Sequence, residues 1–83
     1  MDSKYQLTLY SRNYCHLCHD MEEIARPICA EFGFALEVLD VDSDPALEAR
    51  FDELVPVLMH GETELARYRL NVSEMRAYLA EIR

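Results

Sequence analysis

Glycine is scarce in this chain, with only Gly33 and Gly61 in 83 residues, and tryptophan is absent. So little glycine excludes a collagen-like or glycine-rich fibrous chain, and 51% hydrophobic residues exclude wholesale disorder. Basic residues are few as well: eight Lys and Arg oppose sixteen Asp and Glu, for a net charge of −8. Phosphate backbones are bound by clustered cations, so the balance argues against nucleic acid and reads as a soluble acidic surface. No apolar run approaches the roughly 20 residues of a membrane-spanning helix, and no membrane partner is expected. Met1-Asp2-Ser3-Lys4 has neither the basic nor the apolar region of a secretory signal. A cytoplasmic monomer is the expectation.

The length suits one domain over residues 1–83 and leaves no room for a second. Residues 4–10 alternate around Tyr5, Leu7 and Leu9 and predict a strand. From residue 15 to 32 the period becomes helical, with Leu17, Met21, Ile24, Ala25, Ile28 and Phe32 on one face. Pro27 is expected to interrupt and kink that helix, and Gly33 to cap it. Residues 35–41 suit a buried strand. Asp42-Ser43-Asp44 supplies a cap for a short helix that opens at Pro45 and ends near Phe51. Residues 56–59 and 64–70 read as a hairpin around a turn at 60–63. Asn71 and Glu74 resemble a capping box for a last helix that turns Val72, Met75, Tyr78, Leu79 and Ile82 inward. The order βαβαββα implies an α/β fold: a four-stranded mixed sheet, its first two strands parallel, with helices on both faces.

Three cysteines cannot all pair, and two of them stand as Cys15-His16-Leu17-Cys18 between the first strand and the first helix. In a chain of alternating strands and helices this spacing points to redox chemistry or a metal. Free amides and the positive dipole end at a helix start favour a thiolate at Cys15. On the helical wheel Cys15 lies about 130° from the centre of the apolar face and Cys18 about 70°, so the second sulfur is the more sheltered. An exposed attacking thiol and a sheltered resolving thiol follow. Cys15 would form a mixed disulfide with a substrate and Cys18 would resolve it. His16 and His19 flank the pair, and a protonated imidazole near Cys15 would tune its thiolate, although both also read as ordinary solvated residues. Cys29, roughly 16 Å along the helix from Cys18, reads as a buried structural thiol. Cys15, Cys18 and His19 offer three ligands to a soft metal or an iron–sulfur cluster, but no second C-x-x-C supplies a fourth, and no metal site is assigned.

The run Tyr10-Ser11-Arg12-Asn13-Tyr14-Cys15-His16-Leu17-Cys18, with Val55-Pro56 and the βαβαββα order, resembles the glutaredoxins of the thioredoxin superfamily. It is most similar to a group of small bacterial glutaredoxin-like proteins with a C-H-L-C motif. The resemblance implies a thioredoxin fold and thiol–disulfide oxidoreductase activity on protein disulfides or glutathione mixed disulfides. No tightly bound cofactor is implied, and glutathione would act as co-substrate. It also implies that Pro56 is cis, that Val55 lends backbone groups to the substrate, and that Arg12 pairs with a glutathione carboxylate. Tyr14 would form an apolar wall beside Cys15 or simply pack at the helix start. The chain departs from the family at His16, where proline is usual. It departs again at Ala66-Arg67-Tyr68-Arg69-Leu70-Asn71, where a glycine pair and an acidic residue receive the γ-glutamyl end of glutathione. The carboxylate that thioredoxins hold beneath the second cysteine has no counterpart on the predicted first strand, so no general base is assigned. A thioredoxin-like binding module without turnover stays open beside the enzyme.

Overall fold

The computed structural model describes residues 3–82. Strand β1 (Gln6–Ser11) leads into helix α1 (His16–Phe32), strand β2 (Ala35–Asp40) and helix α2 (Pro45–Phe51). Strands β3 (Val57–His60) and β4 (Thr63–Arg67) form a hairpin, and helix α3 (Val72–Ile82) closes the order. Short 3-10 turns occupy Ser3–Tyr5, Val41–Ser43 and Asp52–Leu54. The strand order is β2-β1-β3-β4, with β1 parallel to β2 and antiparallel to β3. This is the α/β thioredoxin fold expected from the sequence.

Alternation along the strands divides the core between two faces. Leu7 and Leu9 of β1, with Leu58 and Ala66, meet Met21, Ala25 and Ile28 of α1 and Met75 and Leu79 of α3. On the other face Val57 and Met59 meet Phe51 of α2, Val41, Val55 and Cys18. Tyr10 and Phe51 stack there with ring centroids 4.1 Å apart. The first turn of α1 thus reaches past the end of the sheet into the second cluster.

Local signals acted largely as read. Gly33 ends α1 at φ 75°, the left-handed conformation that favours glycine. Asp44 caps α2, accepting from the Ala46 amide at 2.9 Å, with Pro45 at the first helical position. Asn71 Oδ1 accepts from the Glu74 amide at 3.0 Å at the start of α3.

Five expectations need correction. The strand read as buried over residues 35–41 stops at Asp40 and lies at the sheet edge, with none of its residues fully buried. Helix α1 runs unbroken through Pro27. Both Pro27 and Glu23, whose carbonyl loses its donor, lie exposed, so water can replace the missing bond. The first strand begins at Gln6 rather than residue 4, because residues 3–5 form a 3-10 turn. There the Lys4 carbonyl accepts from His60 Nε2 at 2.7 Å, while His60 Nδ1 accepts from the Tyr78 hydroxyl at 2.7 Å. Strand β4 stops at Arg67 instead of residue 70. Tyr68 takes φ 68°, and the Arg69 amide donates back to the Arg67 carbonyl at 2.7 Å, a γ-turn that leaves the sheet. Finally, Leu17, Ile24 and Val72 are not inward but exposed by 39%, 41% and 41%.

The two helices on the first face are tied by a bidentate pair, Arg76 to Glu31, at 2.5 and 2.6 Å. The hydrogen bonds from Arg76 hold the Glu31 carboxyl below its ordinary range, outweighing desolvation. A carboxylate lowered in the folded state stabilises above its ordinary pKa, and the contribution is lost as pH falls through the folded value. Glu31→Gln is therefore expected to flatten the pH dependence of the urea midpoint on the acid side of the Glu range. At neutral pH the loss will be small, because the pair is exposed. In the core, Leu9→Ala is expected to lower the urea-denaturation stability by about 2–5 kcal/mol, as for other fully buried leucines.

Candidate functional site: the cysteine pair at the mouth of helix α1

Strand β1 ends at Ser11, and the chain turns through Arg12-Asn13-Tyr14 before α1 begins. The Cys15 amide donates to the Arg12 carbonyl at 3.1 Å, which closes that turn. Cys15 is then the N-cap of α1, with extended backbone (φ −106°, ψ 110°). Its Sγ accepts from the Cys18 amide at 3.1 Å, taking the place usually filled by a Ser or Asp oxygen. Cys15 and Cys18 lie at disulfide distance, their Cα atoms 5.2 Å apart. Cys18 is buried, with 1% of its surface exposed, whereas Cys15 is half-buried.

Val55 and Pro56 directly precede β3. The peptide between them is cis. Pro56 is buried just before β3, and Val55 packs in the cluster that holds Cys18 and touches Cys15. The Pro56 carbonyl accepts from the Tyr68 amide at 2.9 Å, which ties the cis peptide to the γ-turn after β4.

The remaining predicted site residues are dispersed around this centre. Arg12 is drawn under the loop with only 15% of its side chain exposed. Its Nη2 stands 3.6 Å from Asp52, and its Nε 3.2 Å from Asp42. The Nε contact is an ion pair without hydrogen-bond alignment, so this buried N–H has no acceptor. Desolvation would lower the Arg12 pKa, but Asp42, Tyr14 and Asp52 together outweigh it and the net shift is upward. Tyr14 is 79% exposed, with the Arg12 guanidinium 6.0 Å from its ring centre. His19 Nε2 donates to the Asn13 carbonyl at 2.8 Å, bracing the turn. The His16 ring is 92% exposed, 3.7 Å from Asp20. Among the described residues no group of three or more His, Cys, Asp or Glu side chains is arranged to hold a metal ion. Cys15, Cys18 and His19 are not brought together as ligands. No polar or charged residue is buried among the described residues, so no carboxylate is sealed beneath Cys18.

Two parts of the site escaped sequence reasoning. The sequence assigns Asp42 only to a helix cap. Asp40 and Asp44 take the capping roles instead, and Asp42 meets Arg12. The second is a cleft between α1 and the γ-turn, lined by Leu17, Met21, Ile24, Tyr68 and Leu70 with Asp20 and Arg69. The exposed apolar side of the wheel at Leu17 and Ile24 was the available signal.

A helix capped by one cysteine at disulfide distance from another, following an inner strand of this mixed sheet and packed with the residue before a cis proline, defines a thioredoxin-fold protein with a redox-type site. The model of the glutaredoxin-like domain (DUF836) matches residues 6–80, and the chain belongs to that family. It is similar to the solution structure of protein Ne2328 from Nitrosomonas europaea (33% identity, 88% of each chain, TM-score 0.72). It is also similar to the X-ray structure of protein XcR50 from X. campestris (32% identity, 90% of this chain and 96% of that one, TM-score 0.72). The fold is shared with thioredoxin 1 from Thermosipho africanus (22% identity, 92% of this chain and 96% of that one, TM-score 0.65). Among the described residues no helix is long and apolar enough to cross a membrane.

Cys29, the third cysteine, is buried with its thiol free. Burial pushes its pKa up, against a smaller lowering by Arg26. With the Cys15–Cys18 pair oxidised, titration with a thiol reagent should find no reactive thiol in the native protein and one after denaturation. A fast-reacting native thiol would show that Cys29 is not sealed.

Proposed function

We propose that the protein is a thiol–disulfide oxidoreductase with Cys15 as nucleophile and Cys18 as resolving thiol. The observation that carries this reading is the asymmetry of the pair: a half-buried Cys15 whose sulfur accepts a helix-start amide, and a buried Cys18 behind it. The amide hydrogen bond and the positive end of the helix dipole favour negative charge on Cys15, which is the form that attacks.

In the reduced protein the Cys15 thiolate attacks one sulfur of the substrate disulfide. That S–S bond breaks, a Cys15–substrate disulfide forms, and the other substrate sulfur leaves as a thiolate that takes a proton from water. The Cys18 thiol, losing its proton, then attacks Cys15 Sγ and expels the second substrate sulfur. The substrate gains two electrons and the protein ends as the Cys15–Cys18 disulfide, which an external dithiol reduces for the next turnover. Val55, beside the cis peptide, supplies backbone groups to align the incoming disulfide. His19 and Arg12 steady the turn that carries Cys15.

The test is reduction of insulin and of a glutathione mixed disulfide by the parent chain, Cys15→Ser and Cys18→Ser. Cys15→Ser is expected to lose activity on both substrates. Cys18→Ser should trap a mixed disulfide and lose nearly all insulin reduction, because the two thiols act as a unit. Full activity in Cys15→Ser would refute the assignment.

A further inference from the structure

The cleft between α1 and the γ-turn has no role in the chemistry above; it begins in the first turn of the helix that Cys15 caps, although neither cysteine lines it. Leu17, in the first turn of α1, is the lining residue nearest to Cys15 in the chain. Met21 and Ile24 extend that wall down α1, while Tyr68 and Leu70 form the other. The second wall is fastened to the site, because the Tyr68 amide donates to the Pro56 carbonyl. Three of the five large apolar side chains that the described residues expose line this cleft: Leu17, Ile24 and Tyr68. Apolar exposure gathered at one place marks a binding surface, whereas scattered exposure does not. The volume is about 250 Å³. An apolar cavity of about 150 Å³ already accommodates benzene, so a leucine side chain fits.

The charges around the pair point the same way. Arg12 is committed to Asp42 and Asp52 of its own chain and has little surface left for an incoming carboxylate. Arg69, at the cleft, has no ion pair among the described residues and shares the rim with Asp20, which stands 3.7 Å from His16. A γ-glutamyl-cysteinyl-glycine molecule can bring a carboxylate to Arg69 but has no apolar side chain to bury between Leu17, Ile24 and Tyr68. A polypeptide with a large apolar residue next to its disulfide cysteine has such a side chain to offer, and Arg69 and Asp20 can meet polar groups on either side of it.

We propose that the cleft of Leu17, Met21, Ile24, Tyr68 and Leu70 selects protein disulfides flanked by a large aliphatic residue over glutathione disulfides. This rests on the oxidoreductase reading and names its substrate class. The aliphatic side chain enters the cleft and sets the substrate sulfur before Cys15. No bond is made or broken there; the exchange step is the one already written.

Three probes separate the possibilities: the symmetric disulfide of the blocked peptide Glu-Leu-Cys-Gly, that of Glu-Gly-Cys-Gly, and oxidised glutathione. Each is mixed with the reduced Cys18→Ser chain, and the rate of mixed-disulfide formation at Cys15 is read by mass spectrometry. The leucine peptide is expected to react about tenfold faster than the glycine peptide, the low end for filling a hydrophobic pocket, and faster than oxidised glutathione. Adding Ile24→Ser, a change at an exposed position, should move the leucine-to-glycine ratio toward one. Equal rates for the two peptides, or a faster reaction with oxidised glutathione, overturn the cleft assignment and leave the oxidoreductase reading standing. No mixed disulfide with any probe refutes that reading and this one together. Sedimentation at the assay concentration completes the test: a dimer that Ile24→Ser dissociates would assign the cleft to a second copy of the chain and overturn the proposal.

Discussion

The hydrogen bond from the Cys18 amide to Cys15 Sγ joins structure to chemistry in this molecule. Every helix begins with amides that lack an intrahelical acceptor, and most chains satisfy one of them with an oxygen. Here a sulfur does so. The donor that starts α1 is therefore also the donor that favours charge on the sulfur. The geometry follows from where α1 begins, and α1 begins where it does because β1 lies inside the sheet and must end at its edge before the crossover to β2.

Around that bond the molecule fixes two loops that have no strand partner of their own. Arg12 sends its carbonyl to the Cys15 amide and its guanidinium to Asp42 and Asp52, from the segments that follow β2 and α2. The Pro56 carbonyl takes the Tyr68 amide beyond β4. The cysteine turn, the cis peptide and the γ-turn are thus held by contacts between segments far apart in sequence. Such contacts are made only once the sheet has assembled.

The division of the core explains why the second cysteine is sheltered. Cys18 leaves the α1–α3 face and joins Val41, Phe51, Val55 and Val57 at the end of the sheet. Cys29, eleven residues on, belongs to the other cluster. The two buried cysteines of one helix have different neighbours, and only Cys18 packs in the cluster that touches Cys15.

Much was legible in the residues alone. Period 3.6 from Met21 to Ile28, alternation at Leu7 and Leu9, Pro45 after Asp44, and Gly33 after Phe32 are local physics, and they produced the order of elements and the place of the cysteine pair. Misjudged boundaries lay where tertiary bonds outbid local preference. The γ-turn at Tyr68 ends β4 early, and the His60 bond accompanies a 3-10 turn at residues 3–5. The partners of Arg12 and the cleft beneath Leu17 were hidden because Asp52, Tyr68 and Leu70 lie 40 or more residues away. The sequence by itself determined the helix-start cysteine, the turn signals and the alternating core, since each depends on neighbours within a few residues. Only the tertiary structure decided which cations are already paired, which apolar side chains stay in water and which sulfur is sealed, because those depend on what the sheet brings together.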